Sequence, residues 1–224
     1  MTIAAVTALS GLDSASIQDP AQAFVGVDYH AYSTKPLNLK IWQPHDLAEF
    51  TMDLEYADRR NAKLPKALAW LMLPGYDYYV WHDAHCEIKV DPADIAAEYL
   101  RDADIAVFRH VERDCSYAEL QVLASRNLDT GENLMNTLNF LQQRQWPLHG
   151  GLYELSSFIY RPTPMVQRLM LTWWELISKY TSRDQVLFPY ACALHRVKVA
   201  ILPGAALPYG GSNRFFPSQR WKTQ

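Results

Sequence analysis

Tyr78-Tyr79-Val80-Trp81-His82-Asp83-Ala84-His85 is an apolar run that ends in a cluster of polar residues. A Pro74-Gly75 turn signal precedes it, so residues 78 to 81 read as a short buried strand. Open α/β sheets bind ligands just beyond the carboxyl ends of their strands, which is where this polar cluster falls. Asp83 and His85 stand two apart, so on an extended chain both project to the same side. A carboxylate paired with an imidazole suits Mn2+, Mg2+ or another divalent ion that also holds a diphosphate. A polar turn that merely ends the strand explains the same residues.

Working outward, strand and helix patterns alternate, which predicts an α/β layer architecture. Strands are expected at Ile3–Leu9, Ala23–Val27, Leu39–Trp42, Ile105–Phe108, Ser156–Tyr160 and Val197–Leu202. Helices are expected at Asp58–Leu73, from Pro92 to about Leu100, at Tyr117–Arg126, Glu132–Arg144 and Met165–Tyr180, and from Arg183 to about His195. Pro65 is awkward inside the first of these, and an early helical turn is where it would cost least. Between Met165 and Tyr180, Val166, Leu169, Met170, Trp173, Leu176 and Ile177 recur on one face, the mark of a helix lying on a core. There is no repeat, low-complexity stretch or linker. The 224 residues therefore predict a single domain over 1–224, with 204–224 a tail packed on it.

Four further segments carry chemistry. In Arg59-Arg60-Asn61-Ala62-Lys63-Leu64-Pro65-Lys66, helical spacing puts Arg59, Lys63 and Lys66 on one stripe. Such a stripe can clamp phosphates through charge-assisted hydrogen bonds, or it can be a solvated face. Ser182-Arg183-Asp184-Gln185 has the spacing of a helix capping box; Asp184 and Gln185 could equally hydrogen-bond sugar hydroxyls. His110, in Phe108-Arg109-His110-Val111-Glu112-Arg113, follows a strand and reads either as a ligand-facing or as a satisfied, partly buried histidine. Glu154, after His149-Gly150-Gly151, is a carboxylate without an obvious structural partner. The adjacent glycines would let the backbone approach a ligand closely.

Bulk properties exclude several classes. A formal net charge of −3 gives no general attraction to nucleic acid or anionic lipid. Three scattered cysteines form neither a disulfide framework nor a metal knuckle, which favours a reducing cytoplasm. The N-terminal MTIAAVTALSGLD lacks the basic flank of a signal peptide, and no run reaches the roughly 18 apolar residues of a membrane span. No G-x-S-x-G elbow, G-x-G-x-x-G fingerprint or P-loop is present.

Taken in order, these segments resemble a glycosyltransferase-like family, long catalogued as a domain of unknown function, found in plant cell-wall and mucilage-related proteins and in microbes. The likeness runs from Thr7-Ala8-Leu9-Ser10-Gly11-Leu12-Asp13, through RRNAKLPK (59–66), YYVWHDAHCEIKVDP (78–92) and FRHVERDCSYAEL (108–120). It continues in Glu154 with Phe158-Ile159-Tyr160-Arg161, and ends in TWWELISKYTSRDQVLFPY (172–190). It implies a single GT-A-like (Rossmann-like) α/β domain with a mostly parallel central sheet flanked by helices, and transfer of a sugar from a nucleotide-sugar donor.

The resemblance implies that Asp83 takes the first position of a D-x-D-like site, with His85 where the second acid would stand. Asp83 and His85 would hold Mn2+ or Mg2+, unless Arg60, Lys63 and Lys66 neutralise the diphosphate in its place. Asp184 and Gln185 would face the donor sugar. Thr7, Ala8, Arg59, Arg183 and His110 complete the donor-binding set, and Glu154 or Asp184 would be the acceptor base. The acceptor is open: a glycan, a small molecule or, through the basic and aromatic tail around Arg214, Arg220 and Lys222, nucleic acid. Two other readings compete. One is a metal-dependent hydrolase, for example of a lipid amide, built on Asp83, His85 and His110; the other is a non-catalytic nucleotide-sugar-binding module.

Overall fold

A computed structural model describes residues 1–11, 17–47, 56–204 and 215–216. Its elements in chain order are β1 (Ile3–Leu9), β2 (Val27–Ser33), β3 (Gln43–Asp46), α1 (Ala57–Met72), β4 (Tyr78–His82), α2 (Pro92–Tyr99) and β5 (Ile105–Arg109). They continue with α3 (Ser116–Ser125), α4 (Gly131–Gln143), β6 (Tyr153–Tyr160), α5 (Pro164–Lys179), α6 (Phe188–Leu194) and β7 (Val199–Leu202). The strands form one sheet in the order β3-β2-β1-β4-β6-β5-β7. Every pairing is parallel except those of β6, which runs antiparallel to both β4 and β5.

That reversal positions the site. The carboxyl ends of β4 and β5 and the amino end of β6 meet at one edge of the sheet. Asp83, His110 and Glu154 are therefore delivered to the same edge by three adjacent strands. Asp83 extends the pairing, its N–H donating to Ser156 O at 2.7 Å.

Both faces of the sheet are covered. On one, α5 lays Val166, Leu169, Met170, Trp173, Leu176 and Ile177 into a core with Phe158 and Phe188, each side chain contributing about 1.5–3 kcal/mol by leaving water. On the other, Ile95 of α2 packs with Ile3, Val80, Phe108, Phe215 and Phe216. Of the tail, Gly204, Phe215 and Phe216 lie among the described residues, the two phenylalanines buried; Arg214, Arg220 and Lys222 lie outside them, as do Leu12 and Asp13. The helix starts follow the sequence where a cap is present. Asp91, Thr130 and Thr163 each accept a hydrogen bond from the first turn of α2, α4 and α5, satisfying an otherwise orphaned donor.

Four expectations are corrected. Residues 39–42 are not a strand: the Asp19 carboxylate accepts from the backbone N–H groups of Lys40, Ile41 and Trp42 at 2.8, 2.8 and 3.4 Å, so a side chain replaces a strand partner. The second strand starts rather than ends at Val27, after a turn at Gly26 (φ 78°). The helix expected from Arg183 starts only at Phe188. Pro65 lies in the interior of α1 rather than in its first turn, and the helix is kinked at Leu68 (φ −112°, ψ 17°), three residues beyond it.

Candidate functional site

The cationic stripe of α1 is not a solvated face. It turns inward, and the Lys66 side chain is only 1% exposed. An isolated buried ammonium would cost several kcal/mol, and Lys66 is compensated by two carboxylates. Its Nζ lies 2.6 Å from Asp184 Oδ2 and 3.5 Å from Asp83 Oδ1. Lys63 Nζ reaches the same Asp184 oxygen at 3.0 Å. Trp81 Nε1 donates to Asp83 Oδ1 at 2.9 Å. Lys63, Lys66, Asp83 and Asp184 thus form one ion-pair chain across α1, the end of β4 and the loop before α6.

The chain sets the protonation of its members. Burial alone would raise Asp184, but Lys63 and Lys66 hold it far below the usual carboxylate range. Burial likewise opposes ionisation of Asp83, and Lys66, Lys63 and His85 outweigh it. Lys66 is pulled down by burial yet held above its ordinary value by Asp184 and Asp83. Lys63 falls below its ordinary value, chiefly through burial.

Glu154 behaves in the opposite way. It is buried (5% exposed), and its pKa is pushed up to about 7 by burial first and then by Glu119, with Asp83 and Asp184 adding. His110 Nε2 lies 3.6 Å from Glu154 Oε1. The His110 Nδ1 atom accepts from the backbone N–H groups of Glu112 and Arg113 at 3.2 and 3.1 Å, and the Arg113 Nη2 donor stands 3.3 Å from Nε2, so both ring nitrogens face donors. Burial depresses the His110 pKa, so the ring is neutral near pH 7.

Ser182 and Gln185 do not cap a helix. Asp129 Oδ2 accepts from Thr181 Oγ1, Ser182 N and Ser182 Oγ at 2.6, 2.7 and 2.9 Å. Gln185 Nε2 donates to Glu119 Oε1 at 2.7 Å, while Glu119 Oε2 takes Arg113 Nε at 2.6 Å. Trp173 Nε1 holds the Asp184 carbonyl at 2.8 Å. With both ends of the box engaged elsewhere, the 181–187 segment is a loop fixed by tertiary contacts that aims Asp184 at the lysines.

The remaining candidates divide. Arg59 donates to Leu128 O and Ser182 Oγ at 2.8 and 3.0 Å, and Arg183 Nε approaches the same Leu128 carbonyl at 3.4 Å, so the two guanidinium groups stand together beside the loop. Arg60 turns away: it donates to Ile177 O and, at 2.7 Å, to Tyr180 O, tying α1 to the end of α5. Thr7 and Ala8 are buried in β1, at 0% and 5% exposure, and Thr7 Oγ1 has no hydrogen-bond partner among the described residues. His85 lies close enough to influence Asp83. Gly150 answers to packing, since a Cβ there would fall 2.7 Å from the Trp146 ring.

Partners also bear on how a divalent ion would fit. The oxygens that would bind it already face the Lys63 and Lys66 ammonium groups. Asp83 Oδ1 is further engaged by Trp81. Among the described residues no group of three or more His, Cys, Asp or Glu is placed to hold a metal ion, and the trio Asp83, His85 and His110 is not assembled as one. These donors do not fit a resident divalent cation. Glu119 and Asp129, which organise the site, were not singled out by sequence: Glu119 lies inside the 108–120 likeness without a spacing that marks it, Asp129 lies in no quoted motif, and their partners lie 66 and 53 residues away.

With this geometry in place, comparison with known proteins gives the family. The model of the TOD1/MUCI70, glycosyltransferase-like domain matches residues 46–202. The chain belongs to this family. The TOD1/MUCI70 match contains every site residue named above except Thr7 and Ala8. A probable hexosyltransferase MUCI70 of Arabidopsis thaliana is 26% identical over 147 residues, covering 61% of this chain and 25% of that protein; the match spans about a quarter of that relative's length.

Solved structures share the fold at low identity. Mouse xyloside xylosyltransferase 1 aligns over 90% of this chain and 84% of its own, with TM-score 0.51 and 10% identity. The WbbM bifunctional glycosyltransferase aligns over 90% and 39%, with TM-score 0.52 and 11% identity. The fold is thus an α/β fold shared with glycosyltransferases. Among the described residues no helix is long and apolar enough to cross a membrane.

Proposed function

We propose that this chain is a glycosyltransferase that moves a sugar from a nucleotide-sugar donor to an acceptor hydroxyl. The observation that carries the reading is the buried chain Lys63–Asp184–Lys66–Asp83, with Glu154 beside it at the same sheet edge. A diphosphate needs cationic charge where its negative charge grows as the anomeric C–O bond breaks and the electron pair leaves with the nucleoside diphosphate. Lys63 and Lys66 supply that charge, with Arg59 and Arg183 flanking them.

The two acidic roles separate by environment. Asp184 stays ionised at any working pH because of its lysines, so it suits a fixed acceptor of hydrogen bonds from sugar hydroxyls. Glu154, poised at about 7, is matched to taking the proton of the attacking hydroxyl. His110 and Glu119 position it, and Gln185 borders the sugar. The relative's name, hexosyltransferase, points to a hexose, and a glycan is the acceptor class the family suggests.

A thermal-shift and calorimetry panel of nucleotide sugars tests the donor reading. One member should stabilise the protein, as any ligand of the folded state does, and its affinity should fall in Lys63→Met. A flat response to the whole panel contradicts it.

A further inference from the structure

We infer that Lys63 and Lys66 take the place of a divalent cation, so that the diphosphate is bound by side-chain cations without metal. This rests on the donor reading above and goes beyond it by assigning what neutralises the phosphates.

The argument begins with Lys66. A surface ion pair would need one carboxylate; here the fold brings two to one fully buried ammonium, and one of them is Asp83 at the strand end. An ion bound to Asp83 would have to sit beside that ammonium. Lys66 has little room to withdraw, because Pro65, Ala67 and Leu68 beside it on α1 are buried and its Nζ also lies over the Trp81 ring, 5.4 Å from the centroid.

A second observation comes from across the loop. Arg59 and Arg183 are held side by side on the Leu128 carbonyl, a placement of like charges that an arriving anion relieves. Burial and the neighbouring Arg183 both make the Arg59 charge less comfortable. With Lys63, Lys66, Arg59 and Arg183 set against Asp83, Asp129 and Asp184, the cluster holds an excess of positive charge. A dication would add to that excess, whereas a diphosphate neutralises it. Guanidinium and ammonium groups bind phosphate by charge-assisted hydrogen bonds without help from metal.

The test is calorimetric titration of uridine, guanosine, adenosine and cytidine diphosphates into the protein, once in EDTA and once in Mn2+. The best binder should have the same Kd in both to within about twofold, and Lys63→Met should weaken it by about tenfold in EDTA. Binding only with Mn2+, or tightening of about tenfold on adding it, overturns the metal-free inference and leaves the donor reading standing. An unchanged affinity in Lys63→Met also overturns it. Failure of all four diphosphates in both buffers overturns the donor reading and the inference together.

Discussion

Lys66 Nζ lies between Asp184 Oδ2, at 2.6 Å, and Asp83 Oδ1, at 3.5 Å, and so joins α1, the end of β4 and the loop before α6 through one ammonium group. Removing it would take the ammonium from Asp83 and leave Asp184 with Lys63 alone, whereas removing Lys63 leaves both carboxylates on Lys66. Lys66→Met should therefore cost about 3–5 kcal/mol, a fall of roughly 10 °C in melting temperature for a domain of this size. Lys63→Met, at a side chain that is 16% exposed, should cost clearly less. Circular dichroism melts of the two variants check the order, and an equal or reversed effect contradicts the bridging role.

The same contact shows what the sequence made legible. The alternation of elements, the core face of α5 and the strand that ends at Asp83 follow from local pattern, because apolar periodicity records which face is buried. The inward turn of Arg59, Lys63 and Lys66 does not, since a cationic stripe has the same spacing whether it meets water or a buried carboxylate. Ser182 and Gln185 misled for a related reason. Their spacing fits a cap, but Asp129 and Glu119, distant in sequence, claim both side chains. From sequence alone, Asp184→Asn is expected to leave stability nearly unchanged; with Lys63 and Lys66 both on its carboxylate, that substitution must lower it.

Glu154 should make stability and activity depend on pH in opposite directions. Its folded pKa of about 7 lies above the unfolded value of roughly 4.3, so the protonated form favours folding. That contribution is fully present below about pH 4 and is lost as pH rises through 7. Glu154→Gln should be less stable than, or equal to, the native chain at pH 5 and relatively more stable at pH 8, by urea unfolding. Catalysis needs the ionised form, so kcat/KM should rise through pH 7 in the native chain. A stability difference that does not change between pH 5 and 8 contradicts the assignment.

Asp129 governs the loop that presents Asp184. Asp129→Asn keeps the shape but places an amide against the Ser182 N–H and the Thr181 and Ser182 hydroxyls, and should cost about 2–4 kcal/mol with a parallel loss of kcat. Hydrogen bonds from Thr181, Asn133, Thr130 and Ser182 overcome burial and hold the Asp129 pKa below its ordinary value. Its contribution is therefore present above about pH 4 and lost as pH falls. Asparagine does not titrate, so the variant, already less stable at neutral pH, should lose less stability on acidification and show a shallower acid limb than the native chain. An unchanged acid limb contradicts this.

Arg60 serves the join between α1 and α5. Arg60→Lys loses the forked donation to Ile177 O and Tyr180 O, which a lysine cannot reproduce. Melting temperature should fall by several degrees while donor affinity changes less than in Arg59→Lys. Comparing melts with calorimetry on both variants checks it; a donor affinity that falls further in Arg60→Lys would return Arg60 to the phosphate site.

The central claim is that the Lys63–Asp184–Lys66–Asp83 chain holds a nucleotide sugar while Glu154 activates the attacking hydroxyl. The most direct measurement is proton NMR of the anomeric signal of the best-binding nucleotide sugar at pH 8, with water or an added glycan as acceptor. The account predicts that the native chain consumes the donor and releases nucleoside diphosphate, and that Glu154→Gln binds the donor equally well but turns it over about 100-fold more slowly or worse. No consumption of any nucleotide sugar by the native chain, or turnover by Glu154→Gln at the native rate, contradicts it.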